Sequence, residues 1–156
     1  MLNFSQKAAK RFRMQWSGLE ERSGDFWKVD VAMFAHVPLL MIVHEYTLFT
    51  LIRPKSQFKT PQDIAAEIRR CCTWYRCDGQ PTFGRNGNKR IIGSITQMKR
   101  ETWQMFLPEQ INAIEMYLNN NLYSYIAVGN RNYGKPFEAV DGYVSGCMPW
   151  LEKQPR

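Results

Sequence analysis

The stretch FGRNGNKRIIGSITQMKR, residues 83–100, gathers the side chains best suited to holding an anion. Arg85, Lys89 and Arg90 bring cationic donors, and Asn86-Gly87 and Gly93-Ser94 supply backbone that turns freely. A helix beginning at Ser94 would aim its unpaired N–H groups and positive dipole end at the same place. Arg85, Lys89, Arg90 and Ser94 are therefore the candidate binding residues for a phosphate or a nucleic-acid backbone. The segment matches neither the GxxxxGK[ST] loop nor GxGxxG. More simply, the same residues read as a turn at Asn86-Gly87, a bend at Gly93 and a helix capped by Ser94.

Catalytic chemistry has few candidates. His44 and Glu45 are adjacent, so on a strand they point to opposite faces and form no dyad. His36 and His44 would share a face only on one unbroken strand, and Pro38 lies between them. Asp25 and Asp30 have no suitably spaced carboxylate partner. A histidine in this apolar surrounding reads as a hydrogen-bonded structural residue. No catalytic residue is assigned, the chain leans towards a non-enzyme, and no cofactor is expected. Cys71 and Cys72 would point about 100° apart on a helix and cannot chelate one ion from one face. With Cys77 and Cys147 they form no CxxC pair. Neither a metal site nor a disulfide is expected, only reduced thiols.

A net charge of +7 and a pI near 9.4 fit contact with something acidic, either nucleic acid, an anionic surface or an acidic protein. The run Lys7, Lys10, Arg11 and Arg13 reads as the solvated face of a helix. Trp16, Trp74, Tyr75 and Trp103, where exposed, can stack on bases. Yet no RNP aromatic signature, KH clamp, zinc finger or helix-turn-helix pattern is present. CMPWLEKQPR at the C-terminus offers Trp150 and Arg156 as candidate partner-binding residues, since Met, Trp and Arg favour interfaces. Alternatively, Trp150 covers the protein's own core.

The elements that must position these residues follow from pattern. Ser5 caps a helix over SQKAAKRFR with Ala8, Ala9 and Phe12 inward. FWKVDVAMF alternates as a strand, PLLMIVH is a continuous apolar run typical of a strand buried on both faces, and TLFTLIR is rich in β-branched and aromatic residues. Their short links predict an antiparallel meander. KTPQDIAAEIRRCCTWY starts with Thr60 as cap, Pro61 at the first helical position and Asp63 completing a capping box. Ile64, Ala65, Ile68, Cys72 and Tyr75 make its inner stripe. ITQMKRETWQMF and PEQINAIEMYLNNN read as two helices hinged at Pro108, and the asparagines at 119–121 end the second. The expected fold is α+β, an antiparallel β-meander sheet packed against three to four helices. Residues 1–156 form a single domain, with 122–156 a less regular C-terminal extension. MLNFSQKAAKRFR carries no export signal, and VAMFAHVPLLMIVHEYTLFTLI is too interrupted by His36, Pro38, His44 and Glu45 to cross a membrane. No membrane contact and a cytoplasmic location are expected.

Four segments, in order, resemble a bacterial domain-of-unknown-function family, numbered 6933. FSQKAAKRF (4–12) is similar to its opening strand and QK helix, and GDFWKVDV (24–31) to its GDW strand. EYTLFTLIRP (45–54) is similar to the close of its meander, TLF…P, and KRIIGSITQMK (89–99) to an RSVLGSMND-like segment entering a helix. The likeness covers about residues 2–120, and YGKPFEA in the tail continues it weakly. Arg90, Gly93 and Ser94 match the last segment. Ile95, Thr96 and Gln97 stand where it has Met-Asn-Asp, so no role resting on that acid carries over. The resemblance implies a compact α+β domain and no known activity. The expectation is a small non-enzymatic interaction or regulatory protein, of a kind carried by plasmids or phages, with an unknown host protein as partner. The alternative is a basic nucleic-acid-binding domain using the Gly/Asn-rich loop at a helix N-terminus. An enzyme of unassigned class comes third.

Overall fold

The structure, a computed structural model, describes residues 1–107, 109–126 and 133–152. In chain order its elements are β1 (Leu2–Phe4), α1 (Gln6–Arg11), β2 (Glu21–Arg22), β3 (Trp27–Phe34), β4 (Val37–His44) and β5 (Thr50–Pro54). There follow α2 (Pro61–Cys71), β6 (Phe83–Asn86), α3 (Lys89–Met105), α4 (Ile111–Asn120), α5 (Pro136–Ser145) and α6 (Pro149–Glu152). No described helix is long and apolar enough to cross a membrane.

The meander forms where the alternation placed it. Phe34 pairs with Val37 across a two-residue turn in which Ala35 and His36 both have left-handed φ, 45° and 68°, the twist that a tight hairpin requires. β4 then pairs with β5 antiparallel, from Val43–Thr50 to Leu39–Pro54. The expectation of a purely antiparallel sheet is corrected. The sheet has six strands in the order β2-β6-β1-β3-β4-β5, and the pairs β1–β3, β1–β6 and β2–β6 are parallel. Its parallel half is built from strands of two to four residues, too short to show a period of two.

The continuous run in β4 is buried on both faces, as its composition predicts. Val29, Val31, Leu40, Ile42 and Leu51 face α1 and α2, meeting Ala8, Ala9, Ile64, Ala65 and Ile68. Ala32, Leu39, Met41, Val43 and Ile52 face the other way, towards Ile91, Ile95 and Met98 of α3 and Ile114 and Leu118 of α4. The α2 capping box at Thr60 and Asp63 and the Ser5 cap of α1 are both present. At the outer side of β5, α4 lies along the strand. Asn119 accepts from the Thr50 N–H and donates to its carbonyl, both at 2.8 Å, and Glu115 accepts from the Ile52 N–H at 2.8 Å.

The tail is more regular than expected, with six α-helices in all among the described residues. Pro136 opens α5, and Gly146, with φ 74°, ends it in the left-handed conformation that favours glycine. Gly142 is needed for another reason. A Cβ there would lie 2.7 Å from the Cys147 carbonyl and 2.9 Å from the Trp150 ring, so α5 can meet α6 only without a side chain. The hinge expected at Pro108 lies outside the described residues.

Candidate nucleic-acid interface

The helix that follows the basic loop begins earlier than the Gly93-Ser94 pair suggests. Asn88 is the cap, its Oδ1 accepting from Arg90 N at 3.0 Å and Ile91 N at 3.5 Å. Ile91 and Ile92 are therefore the first turn of α3 and not a strand, one buried and one exposed. Gly93 and Ser94 sit inside the helix, and the Ser94 hydroxyl donates to the Arg90 carbonyl at 3.3 Å. This corrects the expected bend and Ser94 cap. The reason is the stripe Ile91, Ile95, Met98 and Thr102, whose burial against the sheet carries the helix through Gly93.

The four loop candidates do not converge. Arg85 belongs to β6 and pairs in register with Phe4, which packs on the α1–α2 face, whereas α3 covers the opposite one. Its guanidinium lies 3.9 Å from Glu21 and 6.0 Å from the Trp16 ring centre. Lys89 and Arg90 are exposed on the first turn of α3, Arg90 against the Tyr125 ring. Beside that turn is a carboxylate. Glu45, almost wholly buried, accepts from Asn88 Nδ2 at 2.9 Å and from Gly24 N at 3.1 Å. Desolvation raises its pKa, more than these donors lower it.

A different set of cations does converge. Burial of Ala8 and Ala9 leaves Lys7, Lys10 and Arg11 on the outer side of α1, and Arg13 follows with left-handed φ, 55°. They line a cleft of about 570 Å³ with Val31 and Met33 of β3 and with Lys99 and Trp103 of α3. Lys99 and Trp103 are one helical turn apart and share a face. Trp103 is 53% exposed and Met33 44%, large apolar groups left at the surface beside the cations. Arg11 reaches the Met33 sulfur at 3.6 Å.

Asp30 holds the foot of this cleft. It accepts from the Ser5 hydroxyl, the α1 cap, from Val31 N at 2.8 Å and from Lys99 Nζ at 2.7 Å. Lys99 also donates to the Val31 carbonyl at 3.2 Å. Burial pushes the Asp30 carboxyl up, but the Lys99, Ser5 and Val31 donors outweigh it, and the net shift is downward. Lys99 is thus neutralised. Among the described residues no carboxylate lies within 4.0 Å of Lys7, Lys10, Arg11 or Arg13. Four unpaired cations remain, with an exposed indole between them and the end of α3. The charge run itself is visible in the sequence. Its convergence with Trp103 is not, because nothing local couples α1 to α3.

A second polar cluster has the residue types of acid–base chemistry, with a buried imidazole and a carboxylate, Asp25, whose side chain is 44% exposed. His44 is fully buried, with Nε2 2.8 Å from Asp25 Oδ1 and Nδ1 2.9 Å from the Thr47 hydroxyl. An ionised carboxylate only accepts, so Nε2 carries the proton and Nδ1 accepts from Thr47. Asp25 also accepts from the Tyr143 hydroxyl at 2.8 Å. Trp27, Trp74, Tyr75 and Tyr143 surround the imidazole with ring centres 4.9 to 5.3 Å away. Thr47 is fully buried and its oxygen takes the Phe49 N–H as well, at 3.2 Å, so the Nδ1 side of the imidazole is closed, while Asp25 and Tyr143 line a surface cleft of about 650 Å³. Asp25, nineteen residues before His44, is a partner that spacing did not reveal.

The remaining candidates are placed as follows. Trp150 is buried and donates to the Tyr46 carbonyl at 2.8 Å, so its indole is committed to the protein's own core. Arg156 lies outside the described residues. Trp16 and Trp74 are half-buried and Tyr75 is buried, which leaves Trp103 as the open aromatic platform among those named. All four cysteines are free, and burial pushes the Cys72 thiol up to about 12. Among the described residues no group of three potential metal ligands is present. No family model, no curated protein and no solved structure matches the chain.

Proposed function

We propose that this protein binds nucleic acid, with the cleft between α1 and α3 as its interface. The observation that carries this reading is the meeting of four unpaired cations, Lys7, Lys10, Arg11 and Arg13, with the exposed Trp103 in one concave surface. Each cation that neutralises a phosphate releases a counterion, so affinity must fall steeply with salt. Four contacts to a single strand correspond to a log–log slope of roughly −3. The net charge of +7 adds long-range attraction on approach.

The test is fluorescence anisotropy with labelled oligonucleotides over a salt series. Replacing Lys7, Lys10 and Arg11 of α1 and Arg13 after it with Gln removes the charge, keeps helix propensity within α1, and should abolish binding while the melting temperature stays near that of the parent. A Lys89→Gln/Arg90→Gln variant is the comparison and should bind normally. Loss of binding in that variant alone would move the interface to the start of α3. The second reading is an acidic host-protein segment, which the exposed Leu107 in an apolar depression adjoining the cleft favours. Failure of every oligonucleotide to bind at low salt would leave that reading in its place.

A further inference from the structure

We infer that the nucleic acid is single-stranded, and that one unpaired base enters a second, apolar cleft on the far side of Trp103. The inference rests on the reading of the basic cleft given above. Met33, Phe34, Ala35, Trp103, Phe106 and Leu107 line an open depression of about 360 Å³ between the β3–β4 turn and the end of α3. None of these side chains is charged. Met33 and Trp103 line both clefts, so the two are contiguous and the indole stands at their boundary.

This arrangement matches the chemistry of one ligand class. A nucleotide in an unpaired strand carries a charged backbone on one side and a flat apolar face on the other. The cations take the first, and Trp103 with Phe34, Phe106 and Leu107 takes the second by stacking and contact. A paired duplex hides its base faces inside the stack and offers the apolar cleft nothing unless a base flips out.

Two other anionic partners fit less well. An anionic membrane would need an apolar helix face to insert, and α1 has already spent its own, Ala8 and Ala9, on the core. An acidic peptide adding as a strand would pair with β3 past Val29, where β1 stops. There the Val31 N–H is held by Asp30 and the Val31 carbonyl by Lys99.

The experiment compares a short oligodeoxythymidine, an abasic strand of equal length and a duplex of equal length at one low salt concentration. The single strand should bind on the order of tenfold more tightly than the abasic strand and should quench tryptophan fluorescence. Trp103→Ala should lose that advantage and the quenching, while Trp103→Phe retains most of both. Trp103 is exposed, so the melting temperatures of both variants should match the parent. Equal binding of all three oligonucleotides, unaffected by Trp103→Ala, would overturn the base cleft and leave phosphate binding standing. Equal or tighter binding to vesicles of phosphatidylglycerol, or to a poly-glutamate peptide, would also overturn it. No binding to any strand would remove the underlying reading as well.

Discussion

Asp30 and Lys99, 69 residues apart in the chain, meet at 2.7 Å and join β3 to α3 at the foot of the basic cleft. The same carboxylate receives the Ser5 hydroxyl that caps α1. One side chain therefore fixes the relative position of the two helices that carry the cations and the indole.

Asp30→Asn should consequently destabilise the fold by about 3 kcal/mol, because it leaves Lys99 without its countercharge in a largely buried place. Urea denaturation at neutral pH measures this. The sign of the pH dependence follows from the lowered Asp30 carboxyl. Its contribution is complete above the ordinary carboxylate pKa of 3.8 and is lost as pH falls through the still lower folded value. The parent and D30N curves should therefore converge only in strong acid. A loss smaller than about 1 kcal/mol would mean that the cleft does not depend on this link.

His44 gives a second, separate pH dependence. Burial holds its imidazole below the ordinary 6.5, against the pull of Asp25. The unfolded chain then binds a proton that the folded one refuses, so stability is full above about 6.5 and declines as pH falls below it. The denaturation midpoint, followed from neutral pH down to about 5, should show the decline. His44→Gln should start from a lower midpoint at neutral pH, by roughly 2 kcal/mol, and fall less steeply over the same interval, the remaining slope coming from the N-terminal amine, whose pKa burial lowers to about 6. A pH-flat parent would contradict the assignment of a neutral, buried imidazole.

Gly93 supplies a third prediction, opposite in sign to what a bend would give. It is exposed within α3, and a Cβ built there has nothing within 4 Å. Gly93→Ala should stabilise the protein by about 0.5–1 kcal/mol, by lowering the entropy of the unfolded chain and favouring the helix. A rise of roughly 2–4 °C per kcal/mol in melting temperature is the corresponding readout. Destabilisation would indicate that residues 89–94 do not form the helical turn described above.

What was legible in the chain tracks how local each cause is. The meander shows itself because Trp27, Val29 and Val31 alternate and Leu39 to His44 form an unbroken apolar run. The start of α2 shows itself because Thr60, Pro61 and Asp63 cap one another across three residues. The opening residues read as extended, but the parallel pairing of Leu2–Phe4 with β3 and with Phe83–Asn86 carries no local signal. Gly93-Ser94 misleads because a serine is a common helix cap, and only the Ile91–Thr102 stripe, read over about three turns, overrides it. The candidate interface is the least legible part. Its cations appear as a plain solvated helix face until α3 brings Trp103 beside them, and that depends on Asp30 finding Lys99.

The outer strand β5 has a consequence for the protein's solubility. Leu51 and Ile52 lie in a short apolar strand whose free edge would be a template for another chain. Asn119 and Glu115 occupy the Thr50 and Ile52 N–H groups in the way a neighbouring strand would. α4 thus acts as a side-chain substitute for a seventh strand. Detachment of α4 alone, an opening far short of global unfolding, would bare this template while the rest of the sheet stays folded. Exposure of this edge is then governed by the hold of two side chains on one strand.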